Sequence, residues 1–190
     1  MRWCGWLLLA ALAGCGGQME DSPYAQYRLG RIHPQAPPET EQLGQLVGVW
    51  RAEQSTRNRD GTWPEQTTTA DWIWFYILDG HAIQDDWISP PLDDATATHR
   101  TRGTNIRIFD PSEGKWKMAW IDNNTRRLAT FEATAEDGKV VMVGHDNQGQ
   151  LARNTFHNIT HDSFDWLKEW SSDDGQTWTA VARIHCERKR

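Results

Sequence analysis

Short segments rich in β-forming residues, each separated from the next by a tight-turn signal, fill the chain from Leu46 onward. Each turn signal is an acidic or amide residue followed by glycine. They are Asp60-Gly61, Asp79-Gly80, Glu113-Gly114, Asp137-Gly138, Gln148-Gly149 and Asp174-Gly175. Glycine at these positions favours the positive φ angles that two-residue hairpin turns need. Because strands joined by tight turns pair antiparallel, the pattern restricts the chain to an all-β meander.

Ten strands are predicted between these turns. They span residues 46–56, 63–78, 81–89, 101–109, 115–122, 126–135, 139–145, 150–159, 163–171 and 177–186. Trp116, Met118 and Trp120 give one large apolar face, as a half-buried strand requires, whereas Asp71 to Ile77 is apolar on both faces and is expected to be covered on both sides. A meander of eight to ten strands without a crossover helix has no free edge when it closes. The predicted fold is therefore an all-β, antiparallel up-and-down barrel, with a two-sheet sandwich as the alternative.

The first residues have the features of a secretory signal peptide. One positive charge at Arg2 precedes the apolar run from Trp6 to Ala11, and small residues precede Cys15. The stretch from Trp6 to Gly14 has nine residues, whereas a membrane-spanning helix needs about 20. Residues 1–14 are therefore predicted to be a signal peptide that is removed.

The sequence Leu12-Ala13-Gly14-Cys15 resembles the lipobox of bacterial lipoproteins. The resemblance implies that Cys15 is lipidated, becomes the first residue of the mature chain and attaches it to a membrane. Gly16 follows Cys15, where an aspartate would signal retention at the inner membrane. By the same resemblance, the expected location is the cell envelope, as an outer membrane lipoprotein that faces the periplasm.

Two further regions are predicted after the signal peptide. Residues 15–42 are expected to be the lipidated cysteine and a flexible tether, because prolines are dense there and no apolar periodicity is present. Pro38 to Leu43 offers a short helix with acidic residues in its first turn, where the helix dipole favours them. Residues 43–190 are the predicted barrel domain, a length that suits one core.

Charge, cysteine content and the motifs that are missing argue against nucleic acid, a disulfide and a cofactor. The net charge of −6, without a block of lysines and arginines, argues against binding to nucleic acid. Of the three cysteines, Cys4 leaves with the signal peptide and Cys15 carries lipid, so Cys186 has no disulfide partner. The basic residues 188–190 are expected to be a solvated tail. No nucleotide-binding, nucleophile-elbow or paired-cysteine motif is present, and no cofactor is expected.

Tryptophan is the most informative residue type for a site. Of the twelve tryptophans, two lie in the first 14 residues, which leaves ten in the mature chain. Most are expected in the core, but an aromatic-lined cavity would suit a small apolar or ring-bearing ligand, oriented by polar residues on the strands. The candidate ligand-binding residues are Trp72, Trp74, Gln84, Arg107, Trp120, Asn154, His157, Trp166, Glu169 and Arg183.

Gly48-Val49-Trp50, on the first predicted strand after the short helix, resembles the Gly-x-Trp signature of lipocalins. The resemblance implies that Trp50 closes one end of the barrel and that an arginine on a late strand packs over it. Arg183 is the candidate for this barrel-closing arginine, with a cation–π contribution of about 1 kcal/mol. Residues 43–186 as a whole resemble a calycin-type barrel, the group that includes lipocalins and fatty-acid-binding proteins.

Nitrobindin-like haem barrels are a neighbouring resemblance. They share the Gly-x-Trp signature, and His185 on the last strand would be the candidate iron ligand. In those barrels further alternating glycines follow the signature, whereas Arg51-Ala52-Glu53 follows it here. This departure argues against haem.

Ser171 to Trp178 fits the pattern Ser-x-Asp-x-Gly-x-Thr-Trp and resembles the Asp-box of sialidases and other β proteins. Sialidases are propellers with repeated copies, whereas this chain has one copy. The motif is therefore interpreted as a staple of one hairpin, in which Asp173 accepts hydrogen bonds from the turn and Gly175 takes positive φ.

Two other patterns argue against catalytic or metal chemistry. His157 and His161 have the spacing of metal ligands on a helix, but they lie at a predicted strand end and turn, so no metal site is expected. Asp85 and Asp86 are adjacent on a predicted strand, where neighbouring side chains point to opposite faces, so they do not form a catalytic pair.

Three functions follow from these expectations. A lipid-anchored barrel that binds a small apolar molecule is favoured by fold, tryptophan content and anchor together. A structural or assembly lipoprotein would instead have a filled barrel and an exposed aromatic patch near Trp63 or Trp87. An enzyme acting inside the barrel would need at least two of His157, Glu169 and Arg183 to point inward within hydrogen-bonding reach.

Overall fold

The computed structural model describes residues 22–189, which form a closed barrel of ten antiparallel strands. Each strand pairs with the next in sequence, and the first pairs with the last. The strands are β1 (Gly48–Thr56), β2 (Thr68–Ile77), β3 (Ala82–Ser89), β4 (Thr101–Asp110), β5 (Lys115–Asp122), β6 (Ala129–Glu136), β7 (Lys139–His145), β8 (Leu151–His157), β9 (Ser163–Ser171) and β10 (Thr179–Arg188). The predicted up-and-down barrel is confirmed, and the sandwich alternative is wrong because the sheet has no free edge. The lipobox and Cys15 lie outside the described residues.

The hairpin turns follow from the acidic-glycine pairs. Between β6 and β7, Asp137 and Gly138 have φ angles of 50° and 72°. Two consecutive residues with positive φ give a turn whose twist matches that of the paired strands. The largest difference from the predicted strands is at the start of β2, at Thr68 instead of residue 63. Pro64 lies in residues 63–67, which were predicted as strand but precede β2. Proline has no N–H to donate to a strand partner.

One end of the barrel is sealed by aromatic side chains and a short helix. The indole of Trp50 is fully buried and meets Phe164 edge to face, with ring centroids 4.8 Å apart. Helix α1 (Glu41–Gly44), which follows a 3-10 turn at Pro38–Thr40, lies across this end. Its Leu43 is fully buried, and Trp116 Nε1 donates to Gln42 Oε1 at 3.0 Å. None of the helices within residues 22–189 has the length and apolarity to cross a membrane.

The arginine that packs over Trp50 is Arg188, and the prediction of Arg183 is wrong. Arg188 Cζ lies 4.0 Å from the centroid of the Trp50 ring, and the two residues are direct partners in the β1–β10 register. The guanidinium also donates to two backbone carbonyls of the segment before β1, at 2.9 and 3.1 Å. Arg183 instead lies on the outer surface, 4.6 Å from the ring of Trp63. The arginine that closes the barrel therefore lies five residues later on β10 than predicted.

Replacing Arg188 with leucine is expected to lower the free energy of unfolding by about 2 kcal/mol, because a cation–π contact and three charge-assisted hydrogen bonds are lost, the third from Nε to the carbonyl of His161 at 2.6 Å. Arg183→Leu is the matched control on the same strand, with an expected change below about 1 kcal/mol since its contact is exposed. Urea denaturation followed by tryptophan fluorescence measures both values. Equal effects of the two variants would contradict the assignment.

The N-terminal segment, residues 22–37, lies against the outer face of the barrel. The amide of Tyr76 in β2 donates to the carbonyl of Leu29 at 2.9 Å, and Tyr24 Oη donates to Asp71 Oδ2 at 2.9 Å. This layer explains why both faces of β2 are buried. The described part of the predicted tether is thus packed on the barrel wall and does not extend away from it.

Lys189, which follows β10, joins the same layer. Lys189 Nζ lies 2.7 Å from Asp93 Oδ2 and 3.7 Å from the fully buried Asp71 Oδ1. Arg51 Nη2 also binds Asp93, at 2.7 Å. Hydrogen bonds from Lys189 and Arg51 lower the pKa of Asp93 to about 2. The expectation of a solvated basic tail is therefore wrong for Arg188 and Lys189.

The β9–β10 hairpin has the predicted staple. Thr177 donates to both Asp173 oxygens, from its backbone N–H at 2.8 Å and from its Oγ1 at 2.6 Å. Gly175 has φ of 86° and its N–H donates to Ser171 Oγ at 2.8 Å. Trp178 lies against Gly175 and stacks with Arg153, whose Cζ is 4.5 Å from the ring centroid. The motif closes a turn.

Acid is expected to weaken this staple. Hydrogen bonds from the Thr177 side chain and backbone lower the pKa of Asp173 from 3.8 to about 2. The carboxylate therefore contributes stability above pH 3.8, and the contribution is lost as pH falls towards 2. Asp173→Ala is expected to lower the urea midpoint near neutral pH and to flatten its dependence on pH over this window. Glu53→Ala, at an exposed position of β1, is the control, and an unchanged pH profile in Asp173→Ala would contradict the role of the motif.

A candidate ligand-binding cavity

A cavity of about 870 Å³ occupies the barrel at the end opposite α1. Its walls are mostly aromatic and apolar, and its mouth is formed by the β1–β2 and β7–β8 loops. The apolar lining consists of Trp72, Trp87, Trp120, Ala129, Phe131, Met142, Trp166, Trp170, Val181, Ala182 and Ile184. This volume falls in the range of about 300–1,000 Å³ that is typical of small-molecule sites.

Small residues at inward positions leave this space. Ala129 and Ala182 contribute no more than a methyl group to the wall. The ring of Trp120 packs against Gly103, where an added Cβ would come within 2.2 Å of two ring carbons. At the sealed end the inward positions carry Trp50, Trp74 and other large aromatic residues. The barrel is therefore filled at one end and hollow at the other.

The floor of the cavity is a buried ion pair between Arg107 of β4 and Asp85 of β3. Arg107 is 2% exposed and Asp85 is 0% exposed. Arg107 Cζ lies 4.2 Å from the ring centroid of Trp74, which is beneath it, and Trp72 Nε1 donates to Asp85 Oδ1 at 2.6 Å. Burial lowers the pKa of the Arg107 guanidinium, because the charged form loses its hydration, and the carboxylate of Asp85 offsets this cost.

Two buried amides flank the floor. Asn105 on β4 and Asn154 on β8 are 3% and 4% exposed and line the cavity. Within residues 22–189, no group donates a hydrogen bond to either Oδ1 atom. A buried oxygen left in this state costs about 1–3 kcal/mol. A ligand with N–H or O–H groups at its inner end would satisfy these oxygens.

A second ion pair lies higher on the wall. Lys168 Nζ is 2.7 Å from Asp146 Oδ2, and Trp170 Nε1 donates to the same oxygen at 2.9 Å. Burial alone would raise the pKa of Asp146, but hydrogen bonds from Lys168 and from the β7–β8 loop amides outweigh burial and lower it. Asp146 is therefore a carboxylate at neutral pH, and Lys168 is its counter-ion.

Half of the predicted ligand-binding residues line this cavity. They are Trp72, Arg107, Trp120, Asn154 and Trp166. Trp74 also points into the barrel but is fully buried below the floor. These positions follow the alternation of the strands on which they lie.

Four predicted residues are outside the cavity. Gln84 donates to Thr104 Oγ1 at 3.0 Å on the outer surface, and Glu169 accepts from Arg153 Nε at 2.7 Å there. His157 and Arg183 point outward on β8 and β10, since their neighbours Phe156 and Ile184 point inward. Successive side chains along a strand point to opposite faces, so a prediction that is wrong by one residue selects a side chain on the outside of the barrel. The catalytic set proposed from His157, Glu169 and Arg183 therefore does not meet inside the barrel.

Histidines of the described chain lie away from the cavity wall. His185 Nδ1 is 2.7 Å from Asp165 Oδ1 on the outer surface, so His185 is not in position to bind a haem iron inside the barrel. His161 is exposed and lies beside Asp162. Among residues 22–189, no group of three or more histidine, cysteine or acidic side chains has the arrangement of a metal site.

The structure adds cavity residues that the sequence reasoning missed. Trp87, Asn105, Lys168 and Trp170 line the cavity, and Asp85 is buried behind the lining as the partner of Arg107. The alternation of β9 contains the missing signal, because Trp166 and Trp170 place even-numbered residues inside, which brings in Lys168 and excludes Glu169. The ion pairs that these residues make, such as Asp85 with Arg107 and Lys168 with Asp146, join different segments and cannot be predicted from alternation along one strand.

No family model and no curated protein sequence matches this chain. Among solved structures, it is similar to an S-type phycobiliprotein lyase, CPES, from Guillardia theta, with a TM-score of 0.55 and 14% identity over 79% of this chain and 92% of that one. It is also similar to Rv2717c from M. tuberculosis, with a TM-score of 0.54 and 10% identity over 82% of this chain and 99% of that one. The likeness shows a shared β-barrel fold.

Proposed function

We propose that this protein binds a small, largely apolar molecule in the barrel cavity and is held at the outer membrane, facing the periplasm, by lipid on Cys15. The observation that carries the proposal is the cavity of about 870 Å³ with aromatic walls and buried, unsatisfied amides at its floor. Aromatic walls supply the free energy of transfer from water, and a few polar groups orient the ligand. A structural neighbour that is named as a phycobiliprotein lyase has the same barrel fold, which is compatible with a small ligand.

The structural or assembly alternative has less support. It requires a filled barrel with an exposed aromatic patch near Trp63 or Trp87. Trp87 lines the cavity instead, and Trp63 packs against Arg183.

The ligand proposal is tested on protein purified from its own host by native mass spectrometry, followed by solvent extraction. The expected result is a bound species of defined mass that is released by extraction and binds again when added back. A chain that carries no such species, and whose tryptophan fluorescence is not altered by any apolar molecule that fits the cavity, would contradict the proposal.

The anchor is tested separately. Cys15→Ser is expected to move the protein from the membrane fraction to the aqueous fraction, since lipid cannot be attached at serine. Cys186→Ser is the matched control, because Cys186 is buried within the barrel. Retention of the Cys15→Ser chain in the outer membrane would contradict lipid anchoring without affecting the ligand proposal.

A further inference from the structure

The positive charges inside the cavity are already neutralised. Arg107 is paired with Asp85, and Lys168 is paired with Asp146 at 2.7 Å. A ligand carboxylate at the floor would lose its hydration shell and would lie beside an Arg107–Asp85 pair whose net charge is zero. Arg57 and Arg59 lie at the mouth, where water screens them. Among the residues that the structure describes, both cations inside the cavity therefore already have a carboxylate partner.

Three of the five tryptophans that line the wall have their indole N–H groups committed to carboxylates, whereas Nε of Arg107 at the floor has no hydrogen-bond partner within residues 22–189. The indole N–H groups of Trp72, Trp120 and Trp170 donate to the carboxylates of Asp85, Asp122 and Asp146, at 2.6, 3.2 and 2.9 Å. The oxygens without a hydrogen-bond donor at the floor include the Oδ1 atoms of Asn105 and Asn154. Each of these amides also has an NH₂ donor. A neutral group that both donates and accepts, such as an amide, lactam or hydroxyl, matches this arrangement.

We infer that the cavity selects an uncharged ligand, with N–H or O–H donors at its inner end, over an anionic amphiphile such as a free fatty acid. The inference rests on the proposed function. Asp85 is the specificity-determining residue, because it cancels the charge of Arg107.

The test compares two dyes with the same ring system, neutral N-phenyl-1-naphthylamine and its anionic sulfonate, 1-anilinonaphthalene-8-sulfonate. Titrations of the wild-type barrel are followed by quenching of tryptophan fluorescence. The neutral dye is expected to bind at least about tenfold more tightly, a difference of about 1.4 kcal/mol. Absence of binding by the neutral dye would contradict the proposed function, whereas equal affinities for both dyes would overturn the inference alone.

Asp85→Asn is expected to strengthen binding of the sulfonate by about tenfold or more, because Arg107 is left with a free positive charge. The substitution retains an oxygen that can accept from Trp72. Asp86→Asn is the matched control, since Asp86 is the adjacent residue on the outer face, where it accepts from Gln84 at 3.2 Å. An unchanged ratio of the two dye affinities in a folded Asp85→Asn chain would overturn the inference.

A competition assay tests the same inference without any substitution at the ion pair, and it decides the question if Asp85→Asn does not fold. Hexadecanamide and hexadecanoate are used to displace the neutral dye from the wild-type chain. The amide is expected to compete at roughly tenfold lower concentration. Asn105→Leu and Asn154→Leu are expected to reduce this preference, measured as the ratio of the two concentrations that displace half of the dye, and better competition by the carboxylate would overturn the inference.

Discussion

Replacing Asp85 with alanine is expected to lower the free energy of unfolding by about 4 kcal/mol. The substitution leaves the guanidinium of Arg107 buried without its counter-ion, a loss that costs about 3–5 kcal/mol in other buried pairs. It also removes the acceptor of the Trp72 N–H. Urea denaturation monitored by circular dichroism measures the change.

Two further variants separate the ion pair from general damage to β3. The double variant Asp85→Leu with Arg107→Met is expected to recover most of the loss, because an apolar pair of similar size needs no charge compensation. Asp86→Ala, one residue away on the outer face, is expected to change the free energy of unfolding by less than about 1 kcal/mol. Additive losses in the double variant would show that the pair is not coupled in the folded chain.

Replacing Trp50 with alanine is expected to lower the free energy of unfolding by about 3–5 kcal/mol, the range for large aromatic residues in cores. Trp50 is fully buried, contacts Phe164 and Arg188, and donates its Nε1–H to the carbonyl of Leu46 at 2.7 Å. Its loss leaves a void at the sealed end and removes the surface on which Arg188 rests. The free energy of unfolding is measured in urea.

Trp63→Ala is the control for Trp50→Ala. Trp63 packs under Arg183 on the outside of the barrel, so the expected loss is about 1 kcal/mol or less. Because both tryptophans contact an arginine, the comparison isolates the effect of the sealed core. Similar losses in the two variants would contradict the role of Trp50 as the plug of the barrel.

The strands and turns were predictable because they depend on neighbours in sequence. The pair Asp137-Gly138 indicates its turn by itself, and alternation along β5 indicates one buried face. The inner face of β9 was predictable for the same reason, since its two tryptophans lie at positions of equal parity. The inner face of β3 is harder to predict, because Ile83 faces the core while Ile88 is buried on the outer side.

Other features depend on contacts between distant segments. Arg188 was missed because its partnership with Trp50 depends on the register of β1 against β10 and on the extension of β10 to Arg188. The packing of residues 22–37 on β2 was missed because dense proline and low apolar content are also typical of a free linker. The hollow interior depends on which inward positions are small at the same level of the barrel, as Ala129 and Ala182 are.

The most direct test of the account fills the cavity from within. Ala129 lines the cavity on β6, whereas Ala119 on β5 points outward, opposite Ile106. Binding of N-phenyl-1-naphthylamine is measured by fluorescence titration for Ala129→Trp and Ala119→Trp, with both folds checked by circular dichroism. A ligand-binding cavity predicts that Ala129→Trp weakens binding by at least about tenfold while Ala119→Trp binds as the wild type does. Unchanged affinity in a folded Ala129→Trp chain would show that the dye binds elsewhere and would contradict the account.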